Sequence, residues 1–340
     1  MMKTVSRSHQ WQRRSGMPCS LAIALAAAVG ATPASASEGG ASLYLLGSGG
    51  PGAAVLPPVE GVFFDNTLYF YDGSAEASRQ FVVGGNLVAG LDATIVADFV
   101  TGLWVPSTDF LGGTLAIGGA LAAGVPDVKV SAVLTGPLGN SVGVQRKDDA
   151  FIIGDPLVLA ELGWNVGGDS HIALSTTVNI PIGEYREDQL ANLAFHRWAV
   201  DASLAGTWHD PKLGWDISGK AGVTFNGTNH YTDYKTGTEM HFEASIEKIV
   251  SPQFSAGVQA YYFTQISGDS GPGATLGPFE GRVTGVGATA AYNFPLGKMP
   301  ATARVRAFHE FDAVNRLEGT SVMLELAVPL SLKLPPGAGG

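Results

Sequence analysis

Residues 197–225, RWAVDASLAGTWHDPKLGWDISGKAGVTF, constrain the fold more than any other stretch of this chain. Trp198, Val200, Ala202, Leu204, Gly206 and Trp208 take alternate positions, with Arg197, Asp201, Ser203 and Thr207 among the residues between them. Beyond Asp210-Pro211 the alternation resumes. Leu213, Trp215, Ile217, Ala221, Val223 and Phe225 interleave with Lys212, Asp216, Ser218, Lys220 and Thr224. A strict period of two makes a β-strand with one apolar and one polar face. Strands in globular proteins usually run ~5–6 residues, whereas a tilted strand needs ~9–11 to cross a bilayer. The two halves have the longer measure, and Trp near their ends suits an interfacial aromatic girdle. The stretch reads as a hairpin of a membrane barrel.

The start of the chain sets the compartment. Lys3, Arg7, Arg13 and Arg14 precede a short apolar run, SLAIALAAAVG at 20–30, and then Ala34-Ser35-Ala36. A basic start, a short apolar core and a small-x-small site form a secretory signal peptide, too short for a membrane helix. Cleavage is expected after Ala36. It removes Cys19, the only cysteine, so disulfide frameworks and thiol catalysis are not expected. The mature chain keeps 16 basic against 30 acidic residues, a net charge of −14. Such a chain is a poor partner for nucleic acid. No run of 18 apolar residues follows, and charged residues are only 15%, below the roughly 25% usual in soluble domains. Much of the surface is therefore expected to face lipid. The competing reading is a secreted β-sandwich, with shorter strands and one shared core.

Strands are expected near 62–71, 80–89, 92–104, 113–123, 127–136, 154–164, 170–180, 197–208, 213–225, 238–249, 253–265, 279–293, 301–312 and 319–332. The fold class is an all-β antiparallel transmembrane barrel of about fourteen strands, with twelve as the alternative. Short turns at 90–91, 124–126, 165–169, 209–212, 250–252 and 294–300 alternate with longer connections at 72–79, 105–112, 137–153, 181–196, 226–237, 266–278 and 313–318. Short periplasmic turns opposite long outer loops are the outer-membrane pattern. An even strand number puts both barrel ends on the periplasmic side. Residues 37–61 are rich in Gly, Pro and Ala and show no period. They form either a periplasmic tail or a plug in the lumen; the plug would shelter Leu43, Tyr44, Leu45, Leu46 and Leu56. Residues 62–332 are the barrel and 333–340 a tail.

Tight turns set register. Around Asp210-Pro211 they would pair Asp201 with Lys220. Around Ser251-Pro252 they would pair Glu243 with Gln259 and His241 with Tyr261, and in the last hairpin Arg306 would face Glu325. With the apolar set turned to lipid, the inward set is Asp201, Asp216, Lys220, Glu239, His241, Glu243, Glu247, Gln259, Arg304, Arg306, Glu310 and Glu325. Such charges form a structural lattice, a polar pore wall or a binding site. Tyr231 and Tyr234, with Tyr262 and Phe263, are candidates for apolar contact at the outer entrance.

Catalytic signals are weak. A barrel hydrolase needs Ser and His on neighbouring strands of one face with a polar orienter. Ser321 and Glu310 share the inward parity, but His309 points the other way. His230, Asp233, Glu239 and His241 lack metal-ligand spacing, and Gly47-Ser48-Gly49-Gly50 lacks the strand-then-helix context of a phosphate loop. No enzyme activity, metal or cofactor is expected.

Several motifs carry a family resemblance: EGGASLYLLGSGG at 38–50, LPPVEGVFFDNTLYFYDG at 56–73, GDPLVLAELGW at 154–164, PIGEY at 181–185, GWDISGKAGVTFNGTNHYTDYKTGTEMHFE at 214–243, SGDSGPGATLGPFEGRV at 267–283 and FHEFDAVNRLEGTSV at 308–322. On these the chain resembles the outer-membrane proteins named for the meta-pathway of phenol degradation. It is distantly similar to the fatty-acid and toluene channels, which share a barrel and an N-terminal lumen segment. The resemblance implies passive uptake of small hydrophobic or aromatic compounds across the outer membrane of a Gram-negative bacterium. The implied partners are outer-membrane lipid, the solute and the outer-membrane assembly machinery. Barrels of this kind tend to end on an aromatic residue; here the last strand ends near Leu332 and a tail follows.

Overall fold

The computed structural model describes residues 38–135 and 141–333. The expected signal peptide with its cleavage site, Cys19, and the tail beyond Lys333 lie outside the described residues. Sixteen strands follow in chain order: β1 Gly61–Val83, β2 Asn86–Phe110, β3 Gly113–Thr135, β4 Ser141–Asp149, β5 Ile152–Ile153, β6 Leu157–Gly167, β7 Ser170–Asn179, β8 Ala199–Asp210, β9 Trp215–Asn226, β10 Thr228–Asn229, β11 Tyr234–Lys235, β12 Glu239–Ile249, β13 Phe254–Gln265, β14 Arg282–Leu296, β15 Met299–Val314 and β16 Glu318–Leu332. Among the described residues the only helical piece is a 3₁₀ turn at Glu38–Gly40.

Twelve of these strands close a ring. β1 pairs with β2, β2 with β3, β3 with β6, and the antiparallel neighbours continue through β7, β8, β9, β12, β13, β14 and β15 to β16, which returns to β1. Closure leaves no free sheet edge in the wall. The ring has twelve strands, the alternative to about fourteen that the sequence left open. One expectation merged two strands and another divided one. The segment 80–89 straddles the Gly84-Gly85 turn between β1 and β2, and 113–123 with 127–135 belong to the single strand β3, residue 136 lying outside the described residues. The supposed connections at 72–79, 90–91 and 124–126 are strand.

β1, β2 and β3 run 23, 25 and 23 residues, about twice a bilayer crossing. Their surplus leaves the ring. β1 pairs with β16 only as far as Ser74, and beyond it pairs with β2 alone, across an irregularity between Ala75 and Gln80. β3 pairs with β6 over 114–120 and then takes β5 and β4 as its neighbours. The projecting part packs Phe81, Val83, Val88, Leu91, Ala93, Val128 and Val130 against Leu190 and Ala191 of the 180–198 loop. At the tip, Gly84 and Gly85 both have positive φ, which suits a tight two-residue hairpin. A Cβ at Gly84 would meet the Gln189 carbonyl at 2.0 Å, so the tip sits directly on that loop.

Connections on one side are brief: 111–112, 168–169, 211–214, 250–253 and 297–298. The other side carries 180–198, 227–238 and 266–281. Gly61 and Leu332 pair at the brief-turn side, the expected periplasmic end.

The wall is apolar outside and polar inside. Val200, Leu204, Trp208, Ile217, Phe242, Ile246, Val258, Val286, Val305 and Leu324 are exposed, while Asp201, Ser203, Asp216, Glu243, Glu247 and Arg306 are buried. In water such a surface is unfavourable; in hydrocarbon it is the stable arrangement. Trp104, Trp198, Trp208 and Trp215 lie exposed near strand ends, the place of an interfacial girdle.

Asp201, Asp216, Glu239, His241, Glu243, Glu247, Gln259, Arg306 and Glu310 of the expected inward set are buried, but the expected registers differ from those observed. The turn after β8 has four residues, 211–214, tied by Asp210, whose side chain accepts from the Lys212 and Leu213 amides. Asp201 therefore pairs with Thr224, and Lys220 with Ala205 and Glu243. The turn 250–253 likewise sets Glu243 against Tyr261, and His241 against Phe263. In the last hairpin Arg304, not Arg306, is opposite Glu325.

Candidate functional site: the lumen segment and an apolar cavity

Residues 38–56 run up the interior of the ring. Near the periplasmic end, the Ala54 amide donates to Thr207 Oγ1 at 3.0 Å, and the Gly52 amide donates to Asp216 Oδ1 and Ser218 Oγ. Higher, the Gly47 amide donates to Glu243 Oε1 at 2.7 Å, and Gln259 Nε2 donates to the Gly47 carbonyl. Tyr44 stacks on His241 with ring centroids 3.5 Å apart, and Lys220 Nζ lies 5.1 Å over the Tyr44 ring. Glu38 reaches the outer side, where it accepts from Tyr185 and Asn229. Glycine is required at the closest approach: Gly47 has φ +88°, and a Cβ there would stand 2.6 Å from the Phe308 ring. A Gly-rich segment without period is what such a path needs, because its backbone, not its side chains, meets the wall.

The inward residues read from sequence are gathered around this segment. Asp201 accepts from Ser203 at 2.6 Å and Thr224 at 2.7 Å, and lies 3.0 Å from His241 Nε2. Asp216 accepts from Ser218 and contacts His209 Nδ1. Gln259 donates to Glu243, and Asn226 donates to Glu239. Arg304 pairs with Glu247 at 2.5 Å and donates to Thr289. Arg306 pairs with Glu325 at 2.6 Å. Glu310 accepts from Tyr71, Tyr261 and the Gly319 amide. This is a dense lattice in which low dielectric rewards pairing and penalises any broken partner.

Asp201, Ser203 and His241 resemble a nucleophile–base–acid group but lack its geometry. Ser203 Oγ, at 3.3 Å, and Asp201 both meet the same His241 nitrogen, Nε2, and Ser203 also bonds Asp201 directly. A relay needs nucleophile and orienter on opposite nitrogens of the base's ring.

The entrance candidates fare differently. Tyr231 is 49% exposed and stacks on Tyr185, beside His196. Tyr234 is 1% exposed, and its hydroxyl donates to Asp269; it holds two outer loops together and presents no open face. Phe263 is buried beneath Arg316 with Leu46, Tyr261 and Phe308, and Tyr262 points outward, part exposed.

Above the lattice lies a cavity of about 260 Å³. Its walls are Leu43 and Leu46 of the lumen segment, Tyr69, Tyr71, Leu91, Ile95 and Phe99 of β1 and β2, and Leu190, Leu193 and Phe195 of the 180–198 loop. Glu310, Arg197 and Arg316 add polar groups. Leu43 and Leu46 were expected to be sheltered by a plug, but the cavity itself escaped the sequence reading because its walls come from three separated segments. Their signal was present in part: Tyr69, Tyr71 and Phe99 sit at one parity of long strands.

The comparisons with known proteins agree with the architecture. The crystal structure of an outer membrane channel from Pseudomonas putida F1 superposes with TM-score 0.61 at 17% identity, over 82% of this chain and 98% of that one. At that identity the likeness establishes the fold alone. The beta domain of the Bordetella autotransporter Brka (TM-score 0.44, 12% identity, 80% and 100% covered) and a Pseudomonas aeruginosa FadL homologue (TM-score 0.34, 14%, 87% and 97%) are more remote and carry no argument. No curated protein matches the sequence. A family model described as "Putative MetA-pathway of phenol degradation" matches residues 77–326. A match over more than two-thirds of a chain that closes into a twelve-stranded barrel is decisive: the chain belongs to the MetA-pathway phenol degradation family.

Proposed function

We propose that this protein is an outer-membrane channel for passive uptake of small hydrophobic or aromatic molecules. One observation carries the reading: the apolar cavity of about 260 Å³ between the lumen segment, β1, β2 and the 180–198 loop. A cavity of roughly 150 Å³ lined by Leu, Ile and Phe already takes benzene, so this one has room for a substituted ring. The apolar outer wall and the Trp residues at strand ends support a place in the outer membrane. The family match and the fold of the Pseudomonas putida channel support a channel role.

In this reading a solute enters from the outer side, where Tyr185, His196 and Tyr231 form an aromatic cluster. It rests against Leu43, Leu46, Phe99 and Phe195. Onward passage requires the lumen segment to shift, because Tyr44, Gly47 and Gly52 are bonded to the wall. The residues here bind and orient, and no bond of the solute is broken. Purified protein in planar bilayers and in liposomes checks this. Swelling in aromatic alcohols above that of empty liposomes is expected. No conductance and no swelling, with normal growth of a deletion strain on aromatic carbon sources, would leave a structural or adhesion barrel as the better account.

A further inference from the structure

The acceptors and donors that line the cavity are not equally satisfied. Its three carboxylates all have internal donors. Glu310 takes Tyr71, Tyr261 and the Gly319 amide; Glu38 takes Tyr185 and Asn229; Asp155 takes Asn179 and the amides of Gly183, Phe195 and His196. Each of its two guanidinium groups keeps one buried nitrogen without an acceptor. Arg316 is 8% exposed, and its Nη1 is buried without a hydrogen-bond partner. Its guanidinium lies over the Phe263 ring, with Cζ 4.0 Å from the centroid. Arg197 is 2% exposed; its Nε donates to Asn226, while Nη2 has no partner.

A buried cationic donor without an acceptor is unfavourable, and structures rarely keep one without a reason. Two in one apolar cavity, beside carboxylates that are already engaged, mark a place where an acceptor from outside belongs. Guanidinium favours carboxylate, which it can meet with two parallel hydrogen bonds. The surrounding Leu, Phe and Tyr residues favour an apolar body.

We infer that the cavity binds a small hydrophobic acid, such as an aromatic carboxylate, with its carboxylate on Arg316 and its ring against Leu46, Tyr69 and Phe99. Arg197 supplies a second donor to the same cavity. The inference deepens the uptake reading and rests on it for treating the cavity as a solute site. It adds a selectivity for acids over neutral rings, exerted before the solute reaches the lattice.

Isothermal titration of the folded full-length mature barrel in detergent, with benzoate and with benzyl alcohol, tests it. The two probes share a ring and differ in charge. Benzoate is expected to bind about tenfold tighter or better, and Arg316→Gln should remove that preference while leaving benzyl alcohol within about twofold. Arg316→Lys, which keeps charge but loses the planar fork, should retain part of it. Equal affinities in the unaltered protein, no benzoate binding, or an undiminished preference in Arg316→Gln would each overturn the inference. Heat-modified gel migration reports folding, and if Arg316→Gln does not fold, the benzoate to benzyl alcohol ratio of the unaltered protein and the Arg316→Lys variant decide. A barrel that binds benzoate but passes no solute sinks the uptake reading alone. One that passes benzyl alcohol and binds benzoate no better sinks this inference alone.

Discussion

An inward charge can be fixed by a neighbour that lies diagonally across the sheet. Arg306 has Met323 directly opposite, yet its Nη1 reaches Glu325 Oε2 at 2.6 Å. A long side chain spans the diagonal of a sheet, so partners two positions off register still meet. That is why an Arg306–Glu325 contact was legible from parity although the pairing behind it was off by two. The Asp201–Lys220 contact failed for the same kind of reason. The Asp210-capped turn moves β9 by more than a side chain can span, and Asp201 instead finds His241, Ser203 and Thr224. Arg306→Glu or Glu325→Arg alone should destabilise the folded barrel by about 3–5 kcal/mol, since each leaves like charges in a buried site. The exchange of both should recover most of the loss. Midpoints of heat-modified gel migration check this, and a double variant no better than either single one would refute the pair.

Among the elements, the outer loops carry the most specific chemistry. Asp269, in the 266–281 connection, accepts from the Tyr234 hydroxyl, the Gly237 amide and Gln265, and so clasps two loops together. Burial pushes its carboxyl up to about 6, against the lowering effect of those hydrogen bonds. The folded value lies above the unfolded value of ~3.9, so the folded clasp binds the proton more tightly. The stabilisation is complete below the unfolded value and is lost as pH rises through about 6. Hydrogen exchange in 228–237 and 266–281, corrected for intrinsic rates, should be slower at pH 4 than at pH 7. Asp269→Asn should flatten the difference. The loops themselves were legible as long connections between alternating strands, but the clasp was not. Tyr234 reads as an exposed aromatic until tertiary contact with Asp269, far along the chain, buries it.

The whole molecule is a closed wall with a peptide through its centre. The backbone of 47–54 hydrogen-bonds to side chains of β8, β9, β12 and β13, so the segment acts as an internal strut as well as an obstruction. Deletion of 38–56 should leave a barrel with unchanged β content by circular dichroism. It should raise single-channel conductance severalfold and admit polar solutes that the full chain excludes. Unchanged conductance would show that the segment does not close the path. The strand number belongs to this scale too. Cutting the sequence into crossings of bilayer length divides β3 and misplaces the β1–β2 turn, because nothing in a local period of two reports that a strand continues beyond the membrane.

The sequence by itself determined the faces. Alternation of Trp198, Val200 and Leu204 with Asp201 and Ser203 dictates which side of each strand meets lipid, since a residue's face follows from parity alone. It likewise placed the short turns near 168–169, 211–214, 250–253 and 297–298 on one side, and showed the glycine-rich character of the lumen segment. Only the tertiary structure decided the registers, the twelve-strand closure, the course of 38–56 and the cavity above the lattice. The physical reason is range. Facing is set between adjacent residues, whereas register depends on how a turn such as 211–214 closes, and the cavity depends on segments over a hundred residues apart meeting only when the ring is shut.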